Sequence, residues 1–423
     1  MSDSTTPPRA RHPGLQAILD KLHRGVPVSD AELQQLQRQI MDLEDRARSH
    51  RDEAAGGSGH GIATTAVGSL LPGHATREGA LRRAAELDQD AAAVRDTTAQ
   101  GVPLSCVGIG TYHGALDDET DAAYAETIHA ALEAGINLID TSLNYRRQRS
   151  ERAVAAGVRR FVGASGGRRD EVVVCTKGGY LVPGAVTPGT LEHDDVVDGK
   201  HSLAPDFLAD QLHRSRRNLR LETIDVYYLH NPELQLRFVE RHTFMDRILA
   251  AFDGLERAVS DGLIRYYGTA TWSGYRDGSL SLRALAIAAR QIAGDHHHFR
   301  FVQLPFNFGM QEAMTNPVEG GRTVLDVAGE LGITVIASNS LLQGRLSQDL
   351  PGDIVPMLPG LDTDAQRALQ FTRSTPGIAA ALVGMAHKAH LAENLAVARV
   401  PRLTLAEYRR LCSALSSAIS RPA

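Results

Sequence analysis

Short apolar segments rich in β-branched residues alternate with amphipathic segments eight times between residues 104 and 398. The apolar segments have the length of strands and the amphipathic ones have helical spacing, so the pattern predicts an α/β fold built from βα units. The predicted strands cover residues 104–110, 136–140, 172–177, 224–230, 264–268, 301–305, 333–337 and 378–383. The clearest predicted helices cover residues 118–133, 150–162, 206–219, 244–260 and 388–398. Eight units of about 40 residues each match the size and number expected of a (β/α)8 TIM-type barrel.

A doubly wound open sheet is the competing fold. Such a sheet carries a Gly-x-Gly-x-x-Gly turn after its first strand, because the glycines let the backbone approach a pyrophosphate. Residues 108–114 read Gly-Ile-Gly-Thr-Tyr-His-Gly, which does not have that spacing. The sequence therefore favours the barrel.

Residues 1–100 contain few β-branched or aromatic side chains. We predict that they form a helical N-terminal extension and linker, and that residues 101–423 form the barrel domain. Leu33, Leu36, Ile40 and Leu43 follow a helical spacing that makes a narrow apolar seam. The seam favours a helical hairpin packed on the main body, and a dimerisation arm that produces a homo-oligomer is the alternative.

The composition is that of an average globular protein and gives no sign of a nucleic-acid or membrane partner. Lys and Arg number 45 against 50 Asp and Glu, so the net charge of -5 gives no reason to expect nucleic acid or an anionic membrane. The longest nearly apolar run, 377–386, is about half of the roughly 20 residues that cross a bilayer. The N-terminus lacks the apolar core of a secretory signal, and the three cysteines are far apart. We therefore predict a cytoplasmic protein that acts on a small molecule.

Four ionisable residues of different kinds follow consecutive predicted strands. Asp140 ends the second strand and Tyr145 lies five residues further on, while Lys177 ends the third strand and His230 ends the fourth. The C-terminal ends of barrel strands meet at one mouth, where the catalytic groups of such barrels are found. We therefore expect these four side chains to lie close together.

Each of these residues alone has a structural explanation, such as a turn cap or a hydrogen-bonded core residue. Together they indicate proton transfer. A buried Lys177 needs a carboxylate partner, which Asp140 on the adjacent strand would supply. The ammonium favours tyrosinate, so we expect it to lower the pKa of Tyr145 from about 10 towards neutral pH. Tyr145 is then a proton donor, and His230 would bind the same substrate oxygen.

The sequence from about residue 101 to about residue 415 resembles the aldo-keto reductase family. That family has a (β/α)8 barrel and an Asp, Tyr, Lys and His quartet, which Asp140, Tyr145, Lys177 and His230 match. Residues 145–151 read Tyr-Arg-Arg-Gln-Arg-Ser-Glu, similar to the family's Tyr-Gly-x-x-x-Ser-Glu. The resemblance implies reduction of an aldehyde or ketone to an alcohol with NADP(H), or alternatively NAD(H), and without a Rossmann domain.

The resemblance also implies which residues bind the cofactor. Gln303 matches the glutamine that holds the carboxamide, residues 340–344 match the pyrophosphate clasp, and residues 388–394 match the helix start that receives the adenosine phosphate. The full set is Gly110, Thr111, Tyr112, Asp140, Thr271, Gln303, Ser338, Ser340, Leu341, Gly344, Gly384, Lys388, His390, Glu393 and Asn394.

Four residues depart from the family pattern. Ala270 and Thr271 stand where the family has Ser-Asn, and Ser338 replaces an aromatic residue that stacks on the nicotinamide. His390 replaces the arginine that meets the 2′-phosphate, with Lys388 as the nearby cation. We therefore expect NADPH to be preferred over NADH by a smaller margin than an arginine would give.

Two other functions remain open at this point. One is a cofactor-binding regulatory or scaffold barrel, and the other is a redox-neutral lyase or epimerase that uses the Tyr145–Lys177 pair. No metal site is predicted: residues 296–298 are three histidines at the non-catalytic end of the barrel, and the polar insertion at 181–203 suits a substrate lid.

Overall fold

The computed structural model describes residues 69–88, 95 and 97–419. The predicted N-terminal hairpin and its seam lie outside these residues, so the division of the chain near residue 100 stays a prediction. Ser69–Tyr408 form one compact unit, and the final helix from Arg409 onwards belongs to a second unit.

Eight parallel strands close into a barrel, which confirms the predicted fold. In chain order the strands are β1 Thr97–Ala99, β2 Val102–Leu104, β3 Val107–Gly110, β4 Leu138–Asp140, β5 Val173–Gly178, β6 Val196–Val197, β7 His201–Ser202, β8 Ile224–His230, β9 Ile264–Ala270, β10 Phe299–Pro305, β11 Thr334–Ser338 and β12 Ile378–Gly384. The barrel runs in the order β3, β4, β5, β8, β9, β10, β11, β12 and closes with β12 beside β3.

One helix precedes the barrel strands in the chain, and the others lie between or after them. They are α1 Arg77–Glu86, α2 Asp118–Glu133, α3 Arg149–Ala164, α4 Pro205–Leu219, α5 Arg241–Ser260, α6 Leu282–Ala293, α7 Glu312–Thr315, α8 Val324–Glu330, α9 Asp364–Ser374, α10 Lys388–Leu395 and α11 Leu405–Ile419. Short polar side chains begin several of them: Asp117 accepts a hydrogen bond from the Thr120 amide at α2, and Ser281 accepts one from Ala284 at α6.

The strands read as nearly continuous apolar runs because both of their faces are buried. Inward-facing side chains such as Leu138, Val173, Val226, Phe301 and Ile336 form one cluster that fills the barrel. The outward-facing residues of the same strands are covered by the helices, so the alternation of apolar and polar residues seen in exposed sheets is absent. The interior of the barrel is therefore packed, and among the described residues its strands are left uncovered mainly at the two rims.

An unpredicted hairpin, β1–β2, covers the N-terminal end of the barrel. Leu104 pairs with Thr97 in this hairpin, which is why the first barrel strand starts at Val107 and not at residue 104. Nearby, one buried carboxylate fastens three segments: Asp225 accepts hydrogen bonds from the Ala75 amide at 2.6 Å and from Arg169 at 2.6 Å. It also accepts one from the Val174 amide at 2.8 Å.

A pocket of about 390 Å³ opens at this N-terminal end. Its lining includes Val173 and Asp225, which stand at the start of their strands, and residues of the β1–β2 hairpin. It lies at the opposite end of the barrel from Asp140, Lys177 and His230. This pocket is therefore separate from the end of the barrel at which those three side chains lie.

Candidate functional site

The four ionisable residues that follow β4, β5 and β8 come together at the C-terminal mouth of the barrel. The Nζ atom of Lys177 donates to Oδ2 of Asp140 at 2.6 Å and to the carbonyl oxygen of Thr141 at 2.8 Å. The same ammonium lies 4.7 Å from the centre of the Tyr145 ring. The His230 ring is edge-on to Tyr145, with 5.8 Å between the ring centres. The strand ends thus place the quartet as the sequence predicts.

Lys177 stays charged although it is buried. Burial by itself lowers the pKa of a lysine, but the nearby Asp140 carboxylate and the Tyr145 hydroxyl together raise the pKa of Lys177 above its ordinary value. Asp140 is held from both sides, because Nε2 of Gln303 donates to its Oδ1 at 2.7 Å. The site therefore contains a fixed positive charge beside a tyrosine.

The pKa of Tyr145 differs from the sequence expectation. Burial raises it above its usual value, and the attraction of Lys177 only partly opposes that shift. The expectation of a lowered pKa was wrong because burial outweighs the attraction of the ammonium, and the strand pattern does not reveal how deeply Tyr145 is buried. Tyr145 therefore keeps its proton at neutral pH.

His230 is neutral at the mouth. Burial lowers its pKa well below the ordinary value, and the charge of Lys177 lowers it further. Nδ1 lies 3.3 Å from the hydroxyl oxygen of Ser142. Among the described residues, its other ring nitrogen has no hydrogen-bond partner. Nε2 is therefore the atom that His230 offers to a ligand.

Arg146, which has a left-handed backbone and a buried side chain, holds the loop that carries Tyr145. Arg146, Arg147 and Gln148 all have left-handed backbone, with φ of 47°, 50° and 72°. This conformation costs about 1–2 kcal/mol for each residue that has a Cβ atom. Arg146 compensates by burying its guanidinium, which donates to the Ala115 carbonyl at 2.7 Å and pairs with Asp121 at 2.7 Å. The position of Tyr145 thus depends on the first turn of α2.

The polar insertion at 181–203 folds beside the mouth. The second strand of its hairpin, β7, begins at His201, whose Nε2 donates to the backbone carbonyl of His230 at 2.8 Å. Nδ1 of His201 accepts from Nε2 of Gln235 at 2.9 Å. Val182 and Ala185 pack against Leu143 in the Tyr145 loop. The insertion thus contacts two of the segments that carry the quartet, and its role as a lid stays a prediction.

The residues that the resemblance assigns to the cofactor lie along the same rim. Gly384 pairs with Gly110, and Gly110 pairs with Asp140, so three strands end in one row. The Thr271 amide donates to the carbonyl of Gln303 at 2.9 Å. Tyr112 is 43% exposed and its ring lies edge-on to Tyr145, 5.1 Å between centres. The contacts of all these assigned residues with a cofactor stay predictions.

Several of these positions fit an anionic dinucleotide. A Cβ atom added at Gly110 would meet nothing closer than 3.8 Å, so the rim is open there. The hydroxyl of Ser340 is buried and has no hydrogen-bond partner in the described part of the chain. It lies in a loop where Leu342 and Gly344 have left-handed φ, a geometry that turns backbone amides towards one side. The N-cap residue of α10, His387, does not cap the helix with its side chain.

The adenosine end shows contacts that the sequence does not reveal. Nζ of Lys388 donates to Oε1 of Glu126 at 2.6 Å, and both side chains are exposed. Glu393 accepts a hydrogen bond from the hydroxyl of Thr363 at 2.7 Å, while Asn394 is buried. His390 is exposed beside His387. The cation expected to meet a 2′-phosphate is thus already paired with a carboxylate.

Sequence reasoning missed three groups at the mouth. Ser142 contacts His230, and His201 joins the insertion to the carbonyl of His230. Neither lies at the C-terminal end of a barrel strand, so the strand pattern gave no signal for them. Glu233 accepts hydrogen bonds from the amides of Trp272 and Ser273 at 2.8 and 3.1 Å. Only its place shortly after β8 could have drawn attention to it.

Two structural findings concern metals and membranes. Within the described ranges, no group of three or more His, Cys, Asp or Glu residues could hold a metal ion, and His298 is paired with Glu256 at 2.7 Å. Of the helices that the structure describes, none is both long enough and apolar enough to cross a bilayer.

Comparisons with known proteins agree on one family. Residues 106–354, more than half of the chain, match the profile of the Aldo/keto reductase family. The 6-dehydroglucose reductase of Novosphingobium aromaticivorans is 25% identical over 327 residues, 73% of this chain and 91% of that protein. The D-threo-aldose 1-dehydrogenase of a Pseudomonas species is 26% identical over 271 residues, 62% of this chain and 72% of that protein.

Solved structures share the fold. An aldo/keto reductase from Klebsiella pneumoniae in complex with NADP and acetate has a TM-score of 0.55 at 20% identity, covering 76% of this chain and 96% of that one. The glycerol dehydrogenase of Gluconobacter oxydans has a TM-score of 0.57 at 21% identity, covering 77% of this chain and 97% of that one. These likenesses establish the barrel architecture.

Proposed function

The chain belongs to the aldo/keto reductase family, and from that premise we propose that it reduces an aldehyde or ketone to an alcohol with NADPH, Tyr145 being the proton donor. The observation that carries the proposal is the buried Lys177 between Asp140 and Tyr145, with Nζ 2.6 Å from the carboxylate and 4.7 Å from the Tyr145 ring. A purely structural barrel has no need of a buried charge beside a tyrosine.

Proton transfer uses groups whose protonation states follow from their surroundings. When bound, the reduced nicotinamide supplies a hydride to the carbonyl carbon. The hydroxyl of Tyr145 gives its proton to the carbonyl oxygen, and the charge of Lys177 stabilises the tyrosinate that is left. Asp140 keeps Lys177 protonated and in place. Because burial raises the pKa of Tyr145, the donor is loaded throughout the neutral range.

The cofactor would be held along the rim described above. Gln303 and Thr271 would face the carboxamide, and Ser338 would lie beside the nicotinamide. Ser340, Leu341 and Gly344 would bind the pyrophosphate. The adenosine end would be held by Gly384, Lys388, His390, Glu393 and Asn394, with Gly110, Thr111 and Tyr112 on the opposite side of the mouth. The open rim at Gly110 and the unpartnered hydroxyl of Ser340 support this assignment.

The test compares Tyr145→Phe with wild type. Purified protein is titrated with NADPH, followed by nucleotide fluorescence, and NADPH oxidation is then measured with a panel of aldehydes and ketones. Tyr145→Phe should bind NADPH normally and lose on the order of 10²-fold or more in kcat, because it removes the proton donor and little volume. Near-normal turnover of this variant would disprove the proposed role.

A matched control is Tyr267→Phe, which removes another largely buried tyrosine hydroxyl, the one that donates to Glu256 at 2.9 Å. It should keep its turnover, since that hydroxyl lies on the outer side of the barrel. NADPH binding without oxidation of any carbonyl compound would instead favour the scaffold alternative. Conversion of a substrate without net NADPH consumption would favour a lyase or epimerase.

A further inference from the structure

The pocket at the N-terminal end of the barrel has a volume of about 390 Å³ and a largely apolar floor. The floor consists of Val173, Val226 and Phe301 from the barrel strands, with Ala99 and Leu104 from the β1–β2 hairpin, and all of these side chains are buried. Small-molecule sites in proteins have volumes of roughly 300–1,000 Å³ and mostly apolar linings. The pocket therefore has the size and the surface that a small organic ligand needs.

One wall of this pocket is aromatic. Tyr266 and Phe301 both line it, and their ring centres are 5.6 Å apart with an angle of 48° between the ring planes. Tyr266 is only partly buried, so part of its ring stays accessible from the pocket. Aromatic rings pack favourably against one another in tilted and offset arrangements. The wall therefore favours a ligand with a flat aromatic body.

Two exposed arginines also line the pocket. The guanidinium of Arg265 lies 5.8 Å from the centre of the Tyr266 ring, a stacking contact that holds it beside the aromatic wall. Arg77 donates a hydrogen bond to the carbonyl oxygen of Gly101 at 3.2 Å. Within the described ranges, neither guanidinium forms an ion pair with a carboxylate. Both are therefore available to a carboxylate or sulfonate group, which a guanidinium binds well.

The acidic residues in the described lining do not cancel these charges. Asp225 is buried and is paired with Arg169 at 2.6 Å, and it also accepts hydrogen bonds from the amides of Ala75 and Val174. Its charge is thus balanced inside the fold. Glu78 is exposed in the first turn of α1, where the partial positive charge of the helix N-terminus offsets it. The exposed edge of the pocket therefore has a surplus of positive charge.

We propose that this pocket binds a small organic anion with an aromatic body, at a site separate from the mouth of the barrel. The aromatic part packs against Tyr266 and Phe301, and the carboxylate or sulfonate group binds the guanidinium of Arg265. Because Asp140 and the residues assigned to the cofactor lie at the opposite end of the barrel, the anion binds whether or not the cofactor is present.

The experiment uses two fluorescent probes that differ by one charged group. 1-Anilinonaphthalene-8-sulfonate has an aromatic body and an anionic group, and N-phenyl-1-naphthylamine has the same body without the sulfonate. Each probe is titrated into the full-length protein with saturating NADP+, which fills the proposed cofactor site and does not fluoresce. Arg265→Gln should weaken the binding of the sulfonate by about 3-fold or more and change that of the neutral probe by less.

Arg152→Gln is the matched control, because it removes the same charge from an exposed position of α3 outside the described lining of the pocket. It should leave the affinity for the sulfonate unchanged. Val102→Trp adds bulk to the pocket from the hairpin and should weaken the binding of both probes. Circular dichroism checks that each variant is folded, and Arg265→Gln decides the matter if Val102→Trp does not fold.

Three results would overturn the proposal. One is that the sulfonate probe does not bind to wild type. Another is that NADP+ displaces it completely, which would locate it at the mouth of the barrel. The third is that wild type and Arg265→Gln bind the sulfonate with equal affinity.

Discussion

The contribution of Lys388 to nucleotide binding depends on its neighbour Glu126. Its ammonium is paired with Glu126 at 2.6 Å, so a 2′-phosphate at the start of α10 would compete with a carboxylate for it. Glu126→Gln should therefore increase the preference for NADPH over NADH. Exposed pairs contribute about 0.2–1 kcal/mol, so we expect an increase of roughly 1.5- to 5-fold in the ratio of dissociation constants.

The measurement is a fluorescence titration with both nucleotides at low and high salt. Lys388→Ala should reduce the preference, and Glu133→Gln, which removes the same charge from the same helix without touching Lys388, should leave it unchanged. An unaltered NADPH to NADH ratio in both Glu126→Gln and Lys388→Ala would show that the phosphate binds elsewhere.

For single residues, the sequence predicted well where the ionisable side chains lie in the fold, and predicted poorly how buried they are and what they contact. Asp140, Lys177 and His230 were found because strand ends converge in any such barrel. The predicted direction of the Tyr145 pKa shift was wrong, since the spacing of strands does not show how deeply a loop residue is buried. Ser142 was missed for a related reason: it contacts His230, which is 88 positions away in the chain and which only the fold brings within reach.

At the scale of structural elements, the contacts of the insertion at 181–203 depend on His201, which makes them only when it is neutral. Burial lowers the pKa of His201 to about 4, and both ring nitrogens are engaged, Nε2 as donor to His230 and Nδ1 as acceptor from Gln235. Arg247 donates to Oε1 of Gln235, which fixes the amide so that Nε2 faces His201. Protonation of Nδ1 would break this arrangement.

Acid should therefore destabilise the fold through His201. The unfolded chain binds a proton at a pKa near 6.5 and the folded chain only near 4, so the contribution is complete above about pH 6.5 and is lost as pH falls towards 4. Between about pH 7.5 and pH 5 the loss is on the order of 2 kcal/mol. Urea unfolding of wild type at both pH values measures it.

His201→Gln has no group that titrates there, so its free energy of unfolding should change less over the same interval. His230 also has a lowered pKa, and the difference between variant and wild type isolates the His201 part. Equal pH dependence in the two proteins would contradict the assignment.

Longer strands were predicted from the sequence, and the shortest strands were not. The eight barrel strands were predicted within a few residues, because each is bounded by turns and followed by an amphipathic helix. The β1–β2 and β6–β7 hairpins were missed: their strands have three and two residues, too few to show a period.

For the whole molecule, the open question is what residues 1–68 add to the compact unit Ser69–Tyr408. Every residue of the proposed site lies within that unit, so a chain that begins at Ser69 should keep the kcat and KM of the full-length protein. If the predicted seam at residues 33–43 forms a dimerisation arm, the truncated chain should also contain fewer subunits per particle in solution than the full-length protein.

Light scattering and steady-state kinetics on both chains test this, with circular dichroism as the check on folding. Loss of turnover from a well-folded truncated chain would contradict the expectation and would mean that the extension contributes to the site. An unchanged number of subunits would leave the packed hairpin as the better interpretation of the seam.

The buried guanidinium of Arg146 also makes two distant positions of the sequence dependent on each other. Its carboxylate partner, Asp121, lies 25 residues earlier in the first turn of α2. Removing Asp121 alone would leave a buried positive charge without that carboxylate, and removing Arg146 alone would leave Asp121 without its buried partner. A redesign of this loop must therefore replace the two residues together.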